Sequence, residues 1–321
     1  MLFHYTGHYG KDVGHLDAPP FELPMGNYGV QLFFLISGFV IFMTLEKTRT
    51  AMDFVVSRFS RLYPAYWTSL LISALFVYTI GIPEQRLPLP DLAANMTMLQ
   101  ELLHFRHLDG AYWTLQVELL FYIQMLCWFL FGQLQRVHWI IAAWLVIALA
   151  YWGIPSFLGM YPSWTLGQLL IVEHIPFFGM GILFYRLYKG QDGLVNHLMI
   201  AACIGVVAIT RPPIYLPVAV ICTAVFFLFI HGRLKWLQAA PFTFLGTISY
   251  SLYLLHQVIG FDIIWHLERD AHVSSTFAIL SAIAVIIVLS TLVTFYVERP
   301  AMRWIRERWK TRQLRASTQN V

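Results

Sequence analysis

The chain has 321 residues, of which 58% are hydrophobic and only 12% charged, and its mean hydropathy is +0.63. A soluble domain carries roughly 45–50% apolar and about 25% charged residues, so composition excludes a soluble globular enzyme and specifies a polytopic membrane protein. Aromatic residues reach 16%, as suits a chain with many membrane–water interfaces, and the net charge of +4 gains meaning only once the charges are placed.

A bilayer core about 30 Å thick takes roughly 20 helical residues per crossing. In chain order, apolar windows predict complete spans at approximately 27–45, 62–82, 112–131, 139–157, 164–185, 194–210, 214–231, 247–266 and 274–297. The opening MLFHYTGHYG supplies a further, incomplete helix, because residues 1–9 cover only about 14 Å, roughly half the core. The expectation is an all-α protein of about ten transmembrane helices, nine complete and a truncated first. Met1 is expected to be an internal start, with roughly ten or more residues preceding it in the native chain. No cleavable signal peptide, internal repeat or low-complexity tract is visible. Residues 1–300 are expected to form a single transmembrane domain, followed by a basic cytoplasmic tail at 301–321. The long connection 83–111 is expected on the surface with a short amphipathic helix. Cys127, Cys203 and Cys222 lie far apart in apolar runs and read as small packing residues.

Orientation follows from Lys and Arg, which accumulate on the cytoplasmic side. Of the 21 in the chain, 16 fall on one set of alternate loops and 5 on the other. The loop after the 27–45 span and both termini are therefore expected in the cytoplasm.

Polar groups inside a bilayer are costly, so they are the candidates for chemistry. Ser37-Gly38 sits in mid-span, open to two readings, a lining of the site or a small-residue surface for close helix approach. Arg58 and Arg61 are three apart and share a helix face. They serve either as forks for a phosphate-rich ligand or as positive-inside anchors. In YWTLQVELLFY (112–122), Trp113 is followed by Thr114, Glu118 and Tyr122, which recur every four residues on one face. A carboxylate there must be paired, hydrogen-bonded or protonated. Glu173 and His174 are adjacent, so they point about 100° apart on a helix and meet different neighbours. Tyr250 and His256 mark SYSLYLLHQVIG (249–260), where the histidine is either a catalyst or a hydrogen-bonded structural group. Glu298 and Arg299 read as anchors or caps at the boundary. His4, His8 and His15 lack a carboxylate or cysteine cluster to complete a metal site, and the basic tail suits anionic lipid rather than nucleic acid.

Five strings in order, FFLISGF, R-x-x-R-L-Y-P-x-Y-W, W-T-L-x-V-E-x-x-F-Y, S-Y-S-L-Y-L-L-H and V-E-R-P, resemble the membrane-bound acyltransferase family 3 across residues 29–300. The resemblance implies a ten-helix enzyme that transfers acyl groups, often acetyl, to hydroxyls of carbohydrates and other acceptors. It implies that His4 matches the family histidine, whose partner arginine would fall upstream of Met1, and that Arg58 and Arg61 contact acyl-CoA. Thr114 replaces the family serine and keeps its hydroxyl; Gln31 stands where an acidic residue is usual. The expected reaction uses acyl-CoA, acetyl-CoA in the first instance, as co-substrate, with no tightly bound cofactor and no metal. His4 is the general base, and Glu118 orients or charge-stabilises it. Ser37, Trp113, Thr114, Tyr122, Glu173, His174, Tyr250 and His256 are expected to line the site. The expected acceptor is a cell-envelope carbohydrate or lipid-linked glycan, in the bacterial cytoplasmic (inner) membrane. A separate periplasmic acyl-transfer protein is an expected partner alongside the membrane lipids. The alternative is a multi-pass transporter or flippase for an envelope precursor, against which stands the absence of a visible repeat.

Overall fold

The computed structural model of the chain describes residues 1–159, 162–191 and 193–318. Among them the regular structure is helical throughout. A π-helical turn, His4–His8, runs into α1 (Tyr9–Asp12), followed by α2 (Gly29–Glu46), α3 (Ala51–Thr79) and α4 (Leu89–Asn95). Next come α5 (Trp113–Leu130), α6 (Val137–Leu158), α7 (Trp164–Leu169), α8 (Ile175–Tyr188), α9 (Gly193–Thr210) and α10 (Tyr215–Ile230). The chain continues through α11 (Ala240–Leu255), α12 (Val258–Arg269) and α13 (Ser275–Val293), a second π-helical turn (Thr294–Glu298) and α14 (Arg299–Thr318).

Among the described residues, five helices are long and apolar enough to cross a membrane, and a sixth is obtained if the bent pair α11–α12 counts as one span. Ile175–Tyr188 and Tyr215–Ile230 are apolar but shorter. The expected count of about ten is therefore met only in part, and two of the nine windows are interrupted. In 164–185, Pro176 has no N–H to give the carbonyl of Val172, so the helix cannot run through. Ile171 there takes a left-handed φ of 46°, and the Val172 amide turns back to the Gly167 carbonyl at 3.2 Å. In 247–266 the axis bends by 73° between α11 and α12. The window at 62–82 falls in the longer α3, Ala51–Thr79, which carries Arg58 and Arg61 within it. This helix is not among the five apolar enough to cross, because Tyr63, Pro64, Tyr66, Trp67, Thr68 and Ser69 dilute its first half. The segment expected as a tail continues helically to Thr318; residues 319–321 lie outside the described residues.

The chain divides into two compact units, one made of Met1–Asn27, Met52–Trp113 and Gln238–Val321, the other of Tyr28–Ala51 and Thr114–Leu237. In the first, α13 packs on α11 and α12, and Tyr5 and Tyr9 join Phe261, Ile264, Ala278, Ile279 and Ala282 in a buried cluster. In the second, α8 packs on α2, α6, α9 and α10. Here α2 and α8 approach through glycine: a Cβ on Gly38 would collide with the Phe178 carbonyl, and one on Gly181 with the Leu35 carbonyl. Large apolar side chains such as Leu71, Val146, Leu198, Ile209 and Val288 are exposed. That is a liability in water and the ordinary outer surface of a membrane helix.

Candidate active site

His4 enters on the first π-helical turn, a geometry that often marks functional positions. Its ring meets His256 edge-on, with centroids 4.8 Å apart, and His8 at 5.3 Å. Among the described residues the Nδ1 atom of His4 has no hydrogen-bond partner. His256 is buried, with Nδ1 2.7 Å from the Tyr253 carbonyl. A carbonyl only accepts, so Nδ1 of His256 donates and the neutral ring keeps its lone pair on Nε2.

The backbone around this pair is fixed by side chains. The Tyr5 hydroxyl donates to the His256 carbonyl at 2.5 Å, serving an acceptor near the helix break. Asp109, in the connection before α5, accepts from the amides of Ala111 at 2.8 Å and Val258 at 3.0 Å, so one carboxylate caps both the turn at 110–112 and the start of α12. Burial pushes its carboxyl up to about 6, while the two amides pull the other way. His15 holds the His4 segment from its other end. Its Nδ1 lies 2.7 Å from Glu268 Oε1 and its Nε2 2.8 Å from the Tyr5 carbonyl, so one ring ties the start of the chain to the end of α12.

Farther along the same unit, Arg61 pairs with Glu298, which is 3% exposed. Glu298 also accepts from the Ser251 hydroxyl at 2.9 Å, and Thr294 donates to Ser251 at 3.0 Å. The Arg61 guanidinium lies 5.0 Å from the Tyr250 ring centroid, and the Tyr250 hydroxyl donates to the Leu62 carbonyl at 3.0 Å. Arg58 sits 5.9 Å from the Phe54 ring and donates to Ser57 Oγ at 3.0 Å. From sequence Glu298 reads as an anchor or cap, not as half of an ion pair. The only hint to its partnership was an acid at the end of a long apolar run, and nothing local names Arg61, 237 residues away.

In the second unit Glu118 is buried. Its Oε1 accepts from Ser37 at 2.8 Å and from Tyr122 at 2.5 Å. The shared face of Glu118 and Tyr122 thus forms a direct bond, and Ser37 reaches it from α2. Thr114 is buried and Trp113 partly so; Trp113 belongs to the first unit and Thr114 to the second. Gln31 is buried, with Oε1 unpartnered among the described residues. Glu173 and His174 diverge as their spacing requires: Glu173 pairs with Arg211 at 2.8 Å, and the His174 ring lies 4.8 Å from Phe34. His4 and Glu118 fall in different units.

The chain matches the family described as an acyltransferase domain, acyltransferase family 3, over residues 1–298. It is 24% identical over 324 aligned residues to "Acyltransferase MdmB" of Streptomyces mycarofaciens, covering 88% of this chain and 83% of that one. It is also 24% identical over 247 residues to "Putative acetyltransferase ORF330" of Acidianus two-tailed virus, covering 72% of each. No solved structure matches.

Proposed function

Since the chain belongs to acyltransferase family 3 and is an enzyme that transfers acyl groups, we propose that its donor is acyl-CoA and its acceptor a hydroxyl of a cell-envelope carbohydrate or lipid-linked glycan. The transferred group in this reading is acetyl, and the protein works in the bacterial cytoplasmic membrane with about ten crossings and both termini inside. Family membership sets the transporter alternative aside.

The observation that carries the reading is His4, an imidazole with an unpartnered Nδ1 beside a second histidine. Its nitrogen takes the acceptor hydroxyl proton as the oxygen attacks the thioester carbonyl. The C–O bond forms, the C–S bond breaks, and the proton passes to the departing thiolate. Arg58 and Arg61 hold the donor phosphates on the cytoplasmic side.

The test is free-thiol release from acetyl-CoA by purified protein in lipid nanodiscs, supplied with an envelope glycan extract. His4→Ala should lower the rate roughly 10²- to 10⁴-fold, the usual contribution of a general base, while inserting normally. Wild-type turnover by this variant would sink the assignment. Mass spectrometry of envelope glycans with and without the gene identifies the acceptor.

A further inference from the structure

We propose that Arg306, on α14, is the third guanidinium of a phosphate-binding cluster whose other members are Arg58 and Arg61. The inference rests on the donor reading above and extends it to a residue beyond the 1–298 family match.

Arg306 does not behave as a solvated tail residue. Its Nε donates to Ser60 Oγ at 3.1 Å and its Nη2 to the Ser57 carbonyl at 3.3 Å. Ser57 and Ser60 immediately precede Arg58 and Arg61 in SRFSR, so α14 lays this guanidinium onto the very turn that carries the pair. Arg306 lies within electrostatic reach of both Arg58 and Arg61. The α14 helix is held down independently, because Asp53 at the start of α3 accepts from Trp309 Nε1 at 2.7 Å and Gln313 Nε2 at 2.6 Å.

Arg61 has Glu298 as its carboxylate, whereas Arg306 has no carboxylate partner among the described residues. A third guanidinium beside Arg58 and Arg61 is repelled unless an anion joins it, and guanidinium groups make strong charge-assisted bonds to phosphate oxygens. The hydrogen bonds to Ser57 and Ser60 use Nε and Nη2, which leaves Nη1 for a ligand. The fitting ligand carries more than one phosphate, or one dianionic monoester. The diphosphate and 3′-phosphate of coenzyme A have that chemistry, and so do anionic phospholipid headgroups.

The experiment uses the full chain in phosphatidylcholine nanodiscs, titrated calorimetrically with coenzyme A and, separately, with inorganic pyrophosphate. Arg306→Gln should weaken both about tenfold or more, the usual loss when one charge-assisted contact goes. Arg312→Gln, a charge removed from the same helix, should change neither. Arg306→Gln binding both ligands as Arg312→Gln does would overturn the proposal, as would a wild-type chain that binds neither. If Arg306→Gln does not fold, Arg306→Lys is read in its place. An ammonium cannot hold Ser57 and Ser60 and at the same time present a further planar donor to the ligand, so unchanged affinity in that variant also overturns the proposal. Wild-type binding of pyrophosphate but not coenzyme A, lost in Arg306→Gln, would end the donor reading and keep the phosphate site. Competition of pyrophosphate by phosphatidylglycerol nanodiscs would then name lipid as its source.

Discussion

Gly260 faces Tyr5 so closely that a Cβ there would collide with the phenol, and the same phenol holds the His256 carbonyl. One methyl group at this point therefore pushes on the residue next to His4. Overpacking of this kind costs about 1–3 kcal/mol, so Gly260→Ala should lower the melting temperature and reduce thiol release together. A variant with unchanged melting temperature and rate would show that Tyr5 yields freely. Glu298 offers a second test. Removing one partner of a buried ion pair costs about 3–5 kcal/mol, but the Arg61 side chain is 36% exposed and water screens part of the charge. Glu298→Gln should therefore cost less, about 1–3 kcal/mol, readable as a lower melting temperature; no loss would mean that the pair contributes nothing. These residues divide what a sequence exposes from what it hides. Arg58, Arg61, Glu118 and His256 could be picked out because each interrupts an apolar run. Gly260 and Glu298 could not, since their meaning lies in partners more than two hundred residues away.

At the scale of the element, the two broken helices are where sequence reading fell short. A hydropathy window averages across α7–α8 and α11–α12 because both halves of each are apolar, so it returns one span. Pro176 was a legible warning in the first case, since a helix-interior proline removes a backbone bond. The second break depends on distant groups, Asp109 at the Val258 amide and Tyr5 at the His256 carbonyl, and nothing in SYSLYLLHQVIG announces them. Asp109 also makes the break sensitive to pH. Burial pushes its carboxyl up to about 6 from an ordinary 3.8. Between those values the folded state binds more protons than the unfolded one, so stability falls as pH rises through the window and levels off above it. Asp109→Asn keeps one acceptor oxygen and has no proton to lose. The stability difference between wild type and Asp109→Asn should therefore change from about pH 4 to about pH 6 in thermal melts. A difference independent of pH would show that the native carboxyl titrates normally.

For the whole molecule, composition alone made the chain a multi-pass helical membrane protein, because 58% hydrophobic residues leave too little polar surface for water. Its assembly into two units was not legible, since residues 28–51 join 114–237 through the glycine contact of α2 with α8, and no local periodicity encodes that pairing. Sidedness rests on the uneven placing of the 21 Lys and Arg residues. Inside each unit, side-chain contacts join helix ends that this reading assigns to one face. Arg61 meets Glu298, and Tyr185 meets Glu46 at 2.8 Å, at ends read as cytoplasmic. Arg211 meets Glu173 at 2.8 Å and His15 meets Glu268 at 2.7 Å at ends read as external. Inverting the chain exchanges every inside loop with every outside one, so three reporters suffice. Green fluorescent protein fused after Val321 should fluoresce, alkaline phosphatase inserted within 83–111 should be active, and alkaline phosphatase in the turn between α2 and α3 should be silent. An active phosphatase fused after Val321 would put Arg58, Arg61 and Arg306 on the face away from the cytoplasmic coenzyme A pool, and the donor would have to be sought outside the cell.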